Sequence, residues 1–209
     1  MRRTQSENQW LECSGIDELQ RDPSDLLPER VTLLPIRLRP FTLEDAPRVQ
    51  LLAGDLAVAE TTALIPHPYR IGMAEEWIGT HQRERDRGSA FVYAITRAED
   101  GLLVGAIEAR PVAGEQENLG FWIGAPYWGQ GFATSAARAV VALTFSYLEC
   151  DQMTASHLVR NPASGRVMEK CGLSLVQTET REHRGKQERF CVRGITRDAW
   201  ERWSASGEG

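Results

Sequence analysis

The chain has 209 residues, of which 42% are hydrophobic and 25% charged, and its formal net charge is −5. This length and composition predict one globular domain with short additions. The acidic balance argues against a protein that neutralises nucleic-acid backbones. The sequence contains no apolar run long enough to cross a membrane and no N-terminal apolar signal segment. We therefore expect a soluble, cytoplasmic protein with no nucleic-acid or membrane partner.

Cysteine usage fits the same expectation. The four cysteines are far apart, with no CxxC pair and no histidine cluster nearby; they are Cys13, Cys150, Cys171 and Cys191. This spacing is typical of free thiols in a reducing compartment. It predicts neither a disulfide framework nor a metal site.

The N-terminal region differs in composition from the rest of the chain. Residues 1–32 are polar and are interrupted by Pro23 and Pro28, which favours a flexible extension, with docking on a partner subunit as the alternative. Residues 33–203 are predicted to form the single domain, and residues 204–209 a disordered tail.

The first half of the domain begins with a predicted strand at Leu34–Leu38, where Pro35 indicates an edge or an irregular start. Thr42 and Asp45 resemble a capping box that opens a helix ending near Gly54. The elements that follow, in chain order, are a short helix at 55–61, a helix at 73–87, and strands at 90–96 and 102–109.

The second half opens with a short apolar strand at 119–123, which ends at Gly124 and Pro126. A helix with apolar residues at helical spacing follows at 135–147. The remaining predicted elements are a strand at 153–159, a helix at 162–171, strands at 174–180 and 189–195, and a helix at 197–203. This order predicts the α/β class, of the α+β type, on a largely antiparallel sheet.

The turn between the 119–123 strand and the helix after it has the sequence Trp128-Gly129-Gln130-Gly131-Phe132-Ala133-Thr134. Two glycines one residue apart leave no Cβ atoms to keep a ligand from the backbone. The free N–H groups of the first helical turn favour an anion there. The turn matches neither a Walker loop nor the dinucleotide fingerprint. It predicts a phosphate site, with a tight turn that binds nothing as the alternative.

A second informative stretch runs from Asn161 to Leu173. Asn161 is a natural N-cap, Pro162 occupies the first helical position, and Gly172 fits the position just after the helix. These features alone indicate only a well-capped helix. Because this helix follows the next strand after the glycine turn, we expect its N-terminus at the same edge of the sheet.

With both stretches in place, the chain resembles the GNAT superfamily of acyl-CoA-dependent N-acyltransferases, and most of all its RimJ/RimL-type branch. The resemblance covers about residues 33–203. It is carried by Tyr127–Thr134 and by Asn161-x-x-Ser164-x-x-Val167-Met168-Glu169-Lys170-x-Gly172-Leu173; Ile36–Pro40 and Trp77-Ile78 also fit the branch. It implies the GNAT fold, a mostly antiparallel mixed sheet of six to seven strands flanked by helices.

The resemblance implies acetyl-CoA as the cofactor. The backbone of the glycine turn would bind its pyrophosphate, and the pantetheine arm would lie between the strands at 119–123 and 153–159, with a hydrogen bond to Asn161. Trp128 replaces the usual first residue of the superfamily signature, as is common in this branch. The implied cofactor-binding residues are Phe121, Trp122, Ile123, Trp128, Gly129, Gln130, Gly131, Phe132, Ala133, Thr134, Asn161 and Ser164.

Catalytic residues follow less directly. Many family members carry an acid tyrosine where this chain has Met168, so the resemblance favours Ser164 as the group that hydrogen-bonds the leaving sulfur. The candidate bases are Glu117, Glu108 and His157. Relatives of this branch tend to place a glutamate one residue after Glu117, at Asn118, which strand alternation sends to the opposite face. A water chain without a dedicated base remains an alternative.

The acceptor is the least defined part of the prediction. The resemblance implies a primary amine, on a protein N-terminus or a small molecule, in a cleft lined by Thr61–Arg70. It also implies a homodimer. The acidic balance weakly favours a cationic acceptor. Two other classes of function remain as alternatives: a non-catalytic acyl-CoA-binding module and a nucleotide-binding regulatory domain.

Overall fold

The computed structural model describes residues 27–112, 116–148 and 150–206. In these ranges one open eight-stranded sheet carries helices on both faces. The strands are β1 (Val31–Leu33), β2 (Ile36–Arg39), β3 (Phe91–Arg97), β4 (Leu103–Val112), β5 (Gln116–Ile123), β6 (Gln152–Leu158), β7 (Ser174–His183) and β8 (Lys186–Thr196). The α-helices are α1 (Ala46–Ala53), α2 (Leu56–Thr61), α3 (Met73–Ile78), α4 (His81–Asp86), α5 (Phe132–Tyr147), α6 (Pro162–Glu169) and α7 (Arg197–Ala205).

The strand order is β1-β2-β3-β4-β5-β6-β8-β7, and every neighbouring pair is antiparallel except β5–β6. This confirms the predicted fold class, with one strand more than the six to seven predicted. The predicted first strand is in fact a hairpin, because the chain reverses at Leu34-Pro35 and pairs Val31 with Leu38. Pro35 has no N–H to donate to a ladder, so it suits this turn better than a strand interior.

The parallel pair β5–β6 opens a gap in the middle of the sheet. The two strands pair only where Gln116–Asn118 lies beside Gln152–Thr154. Beyond these residues, β5 continues with β4 as its partner and β6 continues with β8. The backbone groups along the facing edges are therefore left without a neighbouring strand, as the resemblance implied.

One face of the sheet forms the main core against α5. Buried residues of this helix, including Ala136, Val140 and Leu143, pack with Ile107 and Met153 of the sheet. Each large apolar side chain buried in this way contributes about 1.5–3 kcal/mol. The helix carries a continuous apolar stripe, so its N-terminus is held in a fixed position at the end of β5.

The opposite face is covered by α1 and α3, whose small side chains pack on Ala94 and Leu103. The helix predicted at 73–87 is broken at Gly79 and Thr80 into α3 and α4. Glycine weakens a helix interior, and the Thr80 hydroxyl donates to the Trp77 carbonyl at 2.9 Å. The break leaves a shorter α3 on the face of the sheet that carries Glu108.

The predicted boundary at 32/33 falls inside β1. Leu27 is fully buried and Val31 is 4% exposed, and both belong to the main core. The Tyr93 hydroxyl donates to the Pro28 carbonyl at 2.7 Å. Residues 1–26, including Cys13, and residues 207–209 of the predicted tail lie outside the described residues.

The described residues contain no helix long and apolar enough to cross a bilayer. Nor do they bring together three or more His, Cys, Asp or Glu side chains that could hold a metal ion. Cys150, Cys171 and Cys191 form no disulfide among the described residues. Burial raises the pKa of Cys171 to about 12, partly offset by Arg138, so that side chain is a neutral core residue at pH 7.

Candidate active site

The glycine turn forms an open cradle at the start of α5. Gly129 and Gly131 have φ values of +75° and +83°, a region that residues with a Cβ rarely adopt. A Cβ at either position would meet nothing within 4 Å, so a side chain there would project into open space. The cradle therefore has room for a ligand directly against the backbone.

The cradle also offers hydrogen-bond donors. The helix starts after Gly131 with no side-chain cap, and its first main-chain bond runs from Ser135 N to Gly131 O at 3.0 Å. The N–H groups of Phe132, Ala133 and Thr134 precede that bond and face the helix entrance. Free N–H groups and the positive end of the helix dipole favour an anion such as a pyrophosphate. The residues present fit the phosphates of coenzyme A.

Two side chains of the turn brace it rather than reach towards a ligand. Trp128 Nε1 donates to the Ile123 carbonyl at 2.6 Å, and Gln130 Nε2 donates to the Pro126 carbonyl at 3.1 Å. Ile123 is itself only 7% exposed. The side chains of Trp128 and Gln130 are thus engaged by the turn itself, which leaves the turn's backbone groups as the candidates to contact a phosphate.

A cleft of about 650 Å³ lies beside the gap between β5 and β6. Its inner wall contains Asn118–Trp122 of β5 and Ser156 and His157 of β6, and α6 adds Ser164 and Met168. Two predicted cofactor residues, Phe121 and Trp122, are thus part of this wall. The opposite wall comes from α1, α3 and the segment after α2.

Asn161 links the start of α6 to the other side of the cleft. Its Oδ1 accepts the Ser164 N–H at 3.3 Å, which makes it the predicted N-cap. Its Nδ2 donates to the Thr61 carbonyl, also at 3.3 Å. Both ends of the amide already have one protein partner, so Asn161 joins α6 to the segment that begins at Thr61. A hydrogen bond to a cofactor would use the remaining amide hydrogen or oxygen lone pair. The Ser164 hydroxyl has no hydrogen-bond partner among the described residues.

Glu108 lies in the cleft and is held by an arginine. Its Oε2 is 3.1 Å from Arg110 Nη2, and Arg110 Nη1 is 3.3 Å from Glu84 Oε1. Across the strands Glu108 faces Gly120, and a Cβ there would come within 3.0 Å of Glu108 Oε1. The absence of a side chain at Gly120 thus lets the carboxylate lie over β5. Sequence reasoning missed Arg110, although a residue two places from Glu108 shares its strand face.

His157 also borders the cleft, but its ring is engaged on both sides. Its Nδ1 lies 2.9 Å from the Leu158 carbonyl, and its Nε2 lies 3.4 Å from Arg193 Nε. These partners assign the proton to Nδ1 and leave Nε2 as the acceptor. The ring packs so closely on Gly165 that a Cβ there would lie 2.8 Å from Nε2. This arrangement is typical of a structural histidine.

The third candidate base, Glu117, lies in β5 beside Met153 of β6. Its side chain is outside the described residues. Its neighbour Asn118, the position where the branch tends to carry a glutamate, borders the cleft. The structure therefore brings Glu108, Asn118 and Ser164 to one cavity.

The predicted acceptor segment Thr61–Arg70 contributes much of the outer wall, through Thr61, Thr62, Ala63, Leu64, Ile65, Pro66 and Tyr69. A residue from the far end of the chain tethers this segment. Arg184 Nη2, in the turn between β7 and β8, donates to the Ala59 carbonyl at 2.8 Å and to the Ile65 carbonyl. The Arg184 backbone adopts a positive φ of +52°. No sequence signal pointed to this contact.

An aromatic cluster supports the wall from behind. The Trp77 ring meets those of His81 and Phe41 edge-on, with centroids 4.4 and 5.0 Å apart. Burial lowers the pKa of His81 to about 4, while Glu84 partly offsets the shift. Both ring nitrogens of His81 lack a hydrogen-bond partner among the described residues. The ring is therefore a neutral packing element at pH 7.

Comparison with known proteins agrees with this geometry. Residues 36–174, well over half of the chain, match the acetyltransferase (GNAT) domain family. The chain therefore belongs to the GNAT acetyltransferase family. This confirms the family that the two sequence motifs indicated.

Individual relatives are more distant. The chain is 32% identical to the FsC-acetyl coenzyme A-N(2)-transacetylase of Aspergillus fumigatus over 90 residues. The matched region is 41% of this chain and 38% of the relative. Over 107 residues it is 26% identical to the probable N-acetyltransferase YjcK of Bacillus subtilis, covering 50% of this chain and 59% of the relative. The chain thus spans only about two to three fifths of the length of these curated relatives.

Solved structures show the same fold. The microcin C7 self-immunity acetyltransferase MccE, in complex with acetyl-CoA and AMP, superposes with a TM-score of 0.73 at 17% identity over 82% of this chain and 98% of that one. RimJ of Mycobacterium smegmatis, in complex with CoA-disulfide, superposes with a TM-score of 0.70 at 20% identity. The superposition covers 87% of this chain and 92% of that one. The second likeness is consistent with the RimJ/RimL-type branch.

Proposed function

We propose that this protein transfers the acetyl group of acetyl-CoA directly to a primary amine, on a small molecule or a peptide, with both bound in the cleft. The observation that carries the proposal is the separation of β5 from β6 after Asn118 and Thr154. The gap borders a cavity that contains Glu108 and Ser164, and the cradle at 129–134 follows the end of β5. Membership of the GNAT family supports the same reaction.

The cofactor would be held mainly by backbone groups. The N–H groups at the start of α5 would bind the pyrophosphate, and the unpaired edges of β5 and β6 would bind the pantetheine arm. When bound, acetyl-CoA supplies a thioester whose carbonyl carbon is already activated towards an amine. The protein's remaining tasks are to orient the amine, accept its proton and protonate the leaving thiolate.

We assign the protonation of the thiolate to Ser164. Its hydroxyl lies in the cleft in the first turn of α6, with no protein partner among the described residues. Met168, one turn further along the same helix, is 2% exposed and has no proton to donate. Ser164 would supply the proton that the leaving sulfur takes up, and would recover a proton from solvent.

Glu108 is assigned to the amine. Glu108 Oε1, the oxygen that Arg110 does not bind, would accept the surplus proton of the attacking amine and later release it to solvent. Arg110 fixes the carboxylate in place through Oε2. His157 is not assigned a proton-transfer role, because Arg193 and Leu158 engage both of its nitrogens.

The test follows thiol release from acetyl-CoA in the presence of a panel of primary amines. Ser164→Ala and Glu108→Gln are expected to lower kcat by about 10²-fold, the lower range for general acid–base groups, with the KM for acetyl-CoA unchanged. Ser146→Ala and Glu99→Gln, at exposed positions, are the matched controls and should behave as wild type.

Two results would contradict the proposal in different ways. A thermal shift with acetyl-CoA but no thiol release for any amine would support a non-catalytic binding module. No shift with acetyl-CoA would remove the cofactor assignment itself. The shift is easy to detect, because a ligand at 100 times its Kd stabilises a protein by about 2.7 kcal/mol.

A further inference from the structure

We infer that the acceptor is a primary amine carried on an apolar or aromatic body, and not a polyamine or an amino sugar. The inference rests on the proposed function and names the substrate class of the same cleft. It departs from the weak indication of the net charge, which favoured a cationic acceptor. The reason lies in the side chains that line the acceptor wall.

The cleft carries little net charge. Among the described lining residues the carboxylates are Glu76 and Glu108, and Arg110 is a guanidinium, so two negative charges and one positive leave a net −1. Arg110 already pairs with Glu108 at 3.1 Å. A polyamine needs a carboxylate or several acceptors for each buried ammonium, because an unpaired buried charge is strongly unfavourable. Of the two carboxylates here, Glu108 is shared with Arg110, so Glu76 is the one without an ion pair among the described lining residues.

Apolar side chains from the outer wall and from the sheet line much of the cleft. Four partly exposed side chains supply large hydrophobic surfaces, namely Tyr69, Met73, Trp77 and Trp122. Other apolar residues also line the cleft: Val49, Ala53, Leu64, Ile65, Pro66, Val92 and Ala106. Burial raises the pKa of Tyr69, with Glu75 adding to the shift, so its phenol stays uncharged at pH 7. Pockets of this kind bind apolar ligands and orient them with a few polar groups.

The arrangement gives the acceptor a direction. Glu108 faces Gly120 beside the β5–β6 gap, where the thioester would lie, while Trp77 stands on the helical wall opposite. An amine placed at Glu108 therefore sends its body along the aromatic wall. Against Trp77 and Met73 the hydroxyl groups of a sugar would face hydrophobic surface, which does not replace their hydrogen bonds to water.

The experiment compares four primary amines at saturating acetyl-CoA by thiol release: 2-phenylethylamine, propylamine, spermidine and glucosamine. We expect kcat/KM for 2-phenylethylamine to exceed each of the others by about tenfold or more. A preference for spermidine or glucosamine would overturn the inference and leave the acetyl-transfer proposal intact.

If no amine is turned over, calorimetry on the protein saturated with CoA measures which amines bind. Binding of 2-phenylethylamine in preference to spermidine would retain the acceptor class and overturn the proposed reaction. Binding of neither amine, or preference for spermidine, would overturn the acceptor class itself.

Variants localise the effect to the wall. Trp77→Leu is expected to lower kcat/KM for 2-phenylethylamine about tenfold while changing that for propylamine little. Trp203→Leu, which removes an indole packed near Arg138 outside the cleft, is the matched control. Met73→Ala tests the same wall with a smaller truncation if Trp77→Leu does not fold. An equal loss for both amines in the wall variants would contradict the inference.

Discussion

The proposed cofactor end of the cleft is made from one short stretch of chain, Trp128–Thr134, and mostly from its backbone. The acceptor end takes side chains from segments as far apart as Val49, Glu108 and Ser164. Backbone donors bind any molecule with the same phosphate group, whereas a set of side chains selects by shape and charge. The first end is therefore suited to an invariant cofactor and the second to a particular amine.

The largest effect is expected at the cofactor end. Gly131→Val should raise the KM for acetyl-CoA by about 100-fold or more, because the side chain enters the cradle and the φ of +83° disfavours it. Gly101→Val is the matched control, because Gly101 has a similar φ of +74° and open space around it. Gly101 lies in the β3–β4 turn and not in the cradle. If both variants lost acetyl-CoA binding equally, strain and not the cradle would be responsible.

The acceptor end should show its own pH dependence through His81. Because its pKa is lowered from 6.5 to about 4, the unfolded chain binds the proton first, so stability is complete above pH 6.5 and is lost as pH falls towards 4. The loss attributable to this ring is about 2–3 kcal/mol. His81→Phe should remove that part of the decline in chemical unfolding measured from pH 7 to pH 4. His67→Ala, at an exposed histidine, should retain it.

Arg184 tests whether the acceptor segment needs its tether. Arg184→Ala removes the donors to the Ala59 and Ile65 carbonyls, so the KM for the amine should rise about tenfold with the KM for acetyl-CoA unchanged. A charged hydrogen bond of this kind contributes about 1.5–3 kcal/mol. Lys186→Ala, an exposed cation two residues away, is the control. A rise in the acetyl-CoA KM instead would mean that the turn supports the cofactor.

Gly120 offers the smallest and most local change. In Gly120→Ala the new methyl group would lie 3.0 Å from Glu108 Oε1, and the flexible carboxylate would move aside. We expect kcat to fall about threefold to tenfold, as for a small misplacement of a reacting group, while thermal stability stays near wild type. Unchanged kcat in steady-state assays would argue that the carboxylate position is unimportant.

The sequence predicted most of the sheet and the cofactor end because both depend on local signals. Gly129, Gly131, Asn161 and Gly172 each mark a backbone geometry that the chain adopts where they occur. The first hairpin was merged into one strand, since Pro35 was interpreted as an edge residue and not as a turn. The helix predicted at 73–87 is two helices in the structure, because the chain breaks at Gly79, and a single glycine does not by itself predict a break.

The acceptor end could not be predicted in the same way. The tether from Arg184 depends on a contact across more than a hundred residues, whereas the ion pair between Glu108 and Arg110 joins two residues on the same face of one strand. His157 shows the reverse problem: its place before Asn161 suggested chemistry, but its two hydrogen-bond partners lie on β6 and β8. Only the three-dimensional arrangement separates such roles.

The most direct test of the two-ended cleft is a pair of Michaelis constants measured in two variants. If the cofactor and acceptor ends are separate, Gly131→Val raises only the KM for acetyl-CoA and Arg184→Ala raises only the KM for the amine. Each KM is measured with the other substrate at saturation. If either variant raised both constants to the same extent, the cofactor and acceptor ends would not be separate sites, and the account would be contradicted.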